Sequence, residues 1–202
     1  MKIDDDTAAE IGIALNEATL LGAEYDPVRN IVATTFAVLT LPDDRSAEPS
    51  DPRRQIIFTD IGRIAAALRD ARWDDLTAKT VLFDVSDLLS TVQSFGGQPI
   101  YGWEFLNNHD QAFGHWQNEL SLKLMPPNGS LDNRLMLFQE GATANRHLDL
   151  WFWFADLLIR DASGTTIAVS DFTAGGKRWW DAMHASDPRT QGHGIVAGGK
   201  DR

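Results

Sequence analysis

Cysteine is absent from the 202 residues, which rules out disulfides, thiolate nucleophiles and Cys-ligated zinc or iron–sulfur sites. Any nucleophile must be an oxygen, an amine or an imidazole. Basic charge is also scarce, with 18 Lys and Arg against 29 Asp and Glu for a net charge of −11. Affinity for nucleic acid comes largely from neutralising phosphates, so this field opposes DNA or RNA as a partner and permits a basic protein partner. Long apolar runs are missing as well. The longest, residues 150–155, is far short of the roughly 20 residues that a membrane-spanning helix needs. Residues 1–6 are acidic and lack the charged and apolar regions of a secretory signal, so a cytoplasmic location without membrane association is expected. No nucleophile elbow, zinc-protease helix, calcium loop or dinucleotide fingerprint occurs, and no cofactor is expected.

What is present is an ordinary globular composition, 43% apolar and 23% charged, in a chain long enough to bury about 70% of its unfolded surface. The expected organisation is one α+β domain over 1–186 followed by a flexible, Gly-rich tail over 187–202. Thr7 and Glu10 have capping-box spacing before a short helix that runs to about Asn16. Residues 19–25 and 30–41 flank Asp26-Pro27 and read as a first hairpin. Residues 42–54 read as a surface loop, 55–59 as a strand, and 61–69 as a short helix on the spacing of Ile61, Ile64, Ala65 and Leu68.

Another strand is expected over 79–84. Ser86 can cap a helix with the apolar face Leu88, Leu89, Val92 and Phe95, stopped by Gly96-Gly97. Strands are then expected over 100–106, 119–125, 134–139, 148–160 and 165–172, with turns at 126–129 and 161–164 pairing neighbours as a meander, and a last helix over 176–185. Strands in runs with few helices between them imply a mainly antiparallel sheet of eight or nine strands with three or four short helices. A half-barrel is one way such a sheet could curl.

The segment richest in chemistry is 146–156. Alternation along a strand places Leu148, Leu150, Phe152 and Phe154 on one face and His147, Asp149, Trp151 and Trp153 on the other. A strand apolar on both faces is first of all a covered central strand. The functional alternative makes the second face a binding surface, because Trp is enriched where proteins meet partners. His147 and Asp149 would then stand at its rim, about 7 Å apart along the strand, with Trp151 partly exposed and Trp153 buried.

Weaker constellations have plain structural readings. Residues 107–116 hold His109, Asp110 and His115, ligand types for zinc or iron but at no spacing that matches a metal motif, so no metal site is expected. Residues 173–178 fail the phosphate-loop pattern, since Asp171 and Arg178 replace its first Gly and its Ser/Thr, and read as a glycine-rich helix entry. At least one of Trp179 and Trp180 should reach the core.

The leading functional expectation is a non-catalytic binding protein using an aromatic, acid-rimmed surface. The alternative is an enzyme or small-ligand domain with a His/Asp pocket over the sheet. A concave site with converging His and carboxylate groups favours the second; a flat aromatic face favours the first.

Overall fold

The computed structural model describes residues 2–45, 47, 50–75, 77–100, 102, 105–107, 114, 116–142 and 145–192. The first half holds helix α1 (Asp5–Leu15), strands β1 (Thr19–Asp26), β2 (Ile31–Ala37), β3 (Arg53–Thr59) and β4 (Arg63–Arg69), and helix α2 (Leu88–Gln93). The second half holds β5 (Leu122–Leu124), β6 (Asn133–Glu140), β7 (His147–Phe154), β8 (Asp156–Arg160), β9 (Thr166–Ile167) and helix α3 (Val169–His184). The fold is α+β with two antiparallel sheets. One has the order β1-β2-β3-β8-β9 and the other β5-β4-β7-β6. No helix among the described residues is long and apolar enough to cross a membrane.

The two sheets share two strands' worth of chain. β3 passes into β4 through Asp60, Ile61 and Gly62, while β7 passes into β8 through Ala155, and β3 pairs with β8 as β4 pairs with β7. The ladder survives the bend, with Ala155 N donating to Thr59 O at 3.0 Å and Gly62 N to Trp153 O at 2.9 Å. Three residues on one side stand against Phe154 and Ala155 on the other, and that extra residue turns the corner, with Asp60 at φ 51°.

A loop crosses this corner at very close range. Ser130 N donates to Asp60 O at 2.8 Å, and a Cβ at Gly129 would lie 1.9 Å from Ile61 O. One at Gly62 would lie 2.2 Å from Ser130 O. Buried Asn133 fixes the β7–β8 turn, donating to Ala155 O at 2.8 Å and accepting from Ile3 N at 2.7 Å.

The main core lies between the sheets and under the first two helices. Phe58 stacks near Phe152 and tilts against Phe154, with ring centroids 6.1 and 4.7 Å apart, and the inward residues of β7 expected from alternation, Leu148, Leu150, Phe152 and Phe154, are all in it. α3 packs on α1, where a Cβ at Gly176 would lie 2.6 Å from Ala14 Cα and Trp180 Nε1 donates to Ile13 O at 3.1 Å. Trp179 is buried beside Leu41 and Met183.

Several local expectations are corrected. Residues 63–69 form a strand, not a helix: Ile64, Ala66 and Leu68 face the core while Ala65 and Ala67 are buried on the other face, so the apolar run has no alternation to betray it. The helix cap is Asp4, which accepts from Thr7 N at 2.8 Å, rather than Thr7. The expected strand over 79–84 contributes only a bridge at Thr80, and the described residues of 100–106 contribute bridges at Ile100 and Leu106.

The stretch 148–160 is two strands in different sheets, because the chain turns at Ala155. β5 and β6 are separated by β4 and β7 and do not form a meander pair; β8 and β9 do pair. Residues 169–172 begin a helix instead of ending a strand. Its N-cap, Ala168, has no capping side chain, so nothing in the sequence marks the start. Residues 173–178 therefore lie inside α3, where backbone amides bond along the helix, and the glycine-rich helix entry is not there. Of the expected tail, residues 188–190 form a 3-10 turn with Thr190 buried, and 193–202 lie outside the described residues.

Candidate functional site

The outer face of the four-stranded sheet is laid out by strand register. Residues directly opposite each other on antiparallel strands share a face, which gives four cross-strand rows: Arg69, His147 and Glu140; Ala67, Asp149 and Phe138; Ala65, Trp151 and Met136; Arg63, Trp153 and Arg134. β4 thus offers two alanines where its neighbours offer large side chains. Trp116 fills that space, packing with Ala65, Ala67 and Trp151 in a small core of its own.

Beside this second core is a cleft of about 450 Å³. Its walls are Trp73, Trp116, Met136 and Phe138, and its polar groups are Glu140, His147 and Asp149. Trp73 is the most open of them, 55% exposed on the loop that leaves β4. His147 and Asp149 sit deeper, at 1% and 6% exposure.

Arg69 builds the wall behind them. Its guanidinium is buried, 4.3 Å from the Trp116 ring centroid, donating to Leu68 O at 3.0 Å and also to Glu119 O. Burial lowers the Arg69 pKa, opposed by the carboxylates of Glu119 and Asp149. The arginine thus ties β4 to the segment that carries Trp116.

His147 lies between two rings, its centroid 6.2 Å from Trp116 and 6.1 Å from Phe138. Nδ1 is 3.0 Å from Ala71 O, so Nδ1 carries the proton it donates and Nε2 is the acceptor of the neutral ring. Burial pushes its pKa down from 6.5; the Ala71 hydrogen bond resists, the Arg69 charge pushes the same way as burial, and Glu140 resists.

The sign of the linkage follows from this. With the folded value below the unfolded one, the unfolded chain takes up a proton first, so stability is full above 6.5, falls as pH drops through that value, and levels off once the folded ring is protonated. Urea unfolding across this range should show that decline. A His147→Gln variant should lose His147's part of it.

The structure brings His147 and Asp149 into one cleft and separates the two indoles from it. Trp151 is fully buried, whereas Trp153 is only partly buried, with the Arg63 guanidinium 4.9 Å over its ring. This reverses the expected exposures, because Trp116 covers Trp151 and not the end of the strand. Sequence reasoning missed Trp73, Trp116, Met136, Phe138 and Glu140. The usable signal lay in β6, where Met136 and Phe138 add an apolar outer face to the inner pair Leu135 and Leu137, marking a sheet covered on both sides.

Among the described residues no group of three or more His, Asp and Glu is placed to hold a metal; His109, Asp110 and His115 lie outside those residues. No protein-family model, curated protein or solved structure matches the chain, so the site is read from its own chemistry.

Proposed function

We propose that this chain is a cytoplasmic, non-catalytic binding protein that holds its ligand in the cleft over the four-stranded sheet, with no role for nucleic acid or membrane. The observation that carries the reading is the lining of this cleft, with Trp73, Trp116, Met136 and Phe138 set around Glu140, His147 and Asp149. A cleft of about 450 Å³ has the size of small-molecule sites and their pattern of apolar walls around a few convergent polar groups. The cleft is broad and open to the surface, with room for a small ligand or for one side chain of a basic partner.

Binding is favoured over catalysis by the lining. Among the described residues its candidate nucleophiles are the His147 imidazole and the Glu140 and Asp149 carboxylates, and His147 spends its Nδ1 proton on Ala71 O and not on a carboxylate that would orient it as a base. A fragment screen read by amide and indole NMR shifts tests the proposal. Hits should cluster on Trp73, Phe138 and His147, and Met136→Trp, which fills the cleft, should abolish them. Hits spread over the surface and unaffected by that substitution would overturn it.

A further inference from the structure

Among the described residues, the polar groups of the cleft are all of one kind. Glu140 and Asp149 present carboxylate oxygens, which only accept hydrogen bonds. His147 commits its Nδ1 proton to Ala71 O, so Nε2 can also only accept. A ligand anion would meet like charge here and find no side-chain amine or guanidinium among the described lining residues. A ligand rich in N–H donors would find several acceptors within one small volume.

The apolar walls select further. Trp73, Trp116 and Phe138 supply three aromatic rings, whose faces attract cations through their quadrupoles, most strongly where water is displaced. The protein already uses this interaction twice on the same sheet face, with Arg69 over Trp116 and Arg63 over Trp153. Within the cleft Asp149 is already close enough to Arg69 to offset part of its charge. Half-buried Glu140, across His147 from Arg69 in the neighbouring row, is then the anion that a ligand's charge answers. The net charge of −11 draws cations toward the surface in the first place.

Building on the binding role proposed above, we infer that the cleft is a receptor for an organic cation with N–H donors, an alkylammonium or guanidinium group, seated between aromatic rings against Glu140. The group can belong to a free amine or to a lysine or arginine side chain, and the chemistry that recognises it is the same.

Titration of butylammonium and butylguanidinium against the intact chain, followed by tryptophan fluorescence and calorimetry, tests this, with butanol and butyrate as neutral and anionic controls and a short Arg- and Lys-bearing peptide as a second arm. Saturable binding of the cations alone is expected, weakened about tenfold or more by Glu140→Gln through the lost charge-assisted contact. An unchanged thermal midpoint in that variant confirms that the fold is intact. Tighter binding of the peptide than of either free cation assigns the group to a protein partner, and the reverse assigns it to a small amine.

Butanol binding as well as butylammonium, or indifference to Glu140→Gln, would overturn the cation assignment while leaving the cleft as a binding site. Absence of cation binding would overturn the assignment too. The clustering of neutral fragments then decides the wider reading separately.

Discussion

Replacing Trp151 with alanine should lower stability by about 3 to 5 kcal/mol, the range for deleting a large aromatic side chain from a packed core. The indole is fully buried and packs with Ala65, Ala67 and Trp116. Denaturant unfolding with the slope compared between variants measures the loss. Trp153→Ala, at a partly buried ring, should cost distinctly less. If the two costs came out alike, or reversed, the cover that Trp116 places over the outer face would be wrong. The comparison also separates structure from binding, since Trp73→Ala, at an exposed ring, should leave stability within about 0.5 kcal/mol.

Gly129→Ala should be among the most damaging single-methyl changes, at about 3 kcal/mol, the upper end for overpacking. The added Cβ would fall 1.9 Å from the Ile61 carbonyl oxygen and 2.4 Å from Gly62 Cα, both backbone atoms that cannot turn aside as a side chain could. The corner would have to open, and with it the Ser130–Asp60 hydrogen bond. Gly164→Ala in the β8–β9 turn serves as the comparison. Its space is open and only its φ of 86° is strained, so its cost should be a fraction of that at Gly129. A melting-temperature series over the two variants checks the order.

Legibility in the sequence followed the physics of each segment. β7 could be read residue by residue, since alternation put Leu148, Leu150, Phe152 and Phe154 on the core side, where they lie. The first hairpin was legible for a different reason, because Asp26-Pro27 is turn chemistry on its own. β4 was not legible. Ala65, Ala66 and Ala67 favour helix intrinsically, and only the bulk of Trp116 and Trp151 across the sheet makes small residues useful there.

The corner at Ala155 was hidden too. What bends the chain is Asn133, distant in sequence, and the paired bend at Asp60. The candidate site divides the same way. His147 and Asp149 could be found from one strand, while Trp73 and Trp116 arrive from segments outside the sheet whose positions depend on the Arg69 and His147 hydrogen bonds to Glu119 and Ala71. Residues that meet only through tertiary contacts leave no local pattern.

The sheet borders decide how safely this chain can be concentrated. A bare strand border is a template on which a second molecule can add its own strand and start a fibril. Among the described residues this protein offers little of one. β5 is three residues long and carries Lys123, β9 is two residues long, β6 is bridged at Gln139 by Ile100 and at Leu135 by Leu106, and β1 is bridged at Thr19 by Pro99. Strand addition to the native molecule thus meets short or partly bridged borders, and β1, bridged at Thr19 alone among the described residues, is the border where it would start.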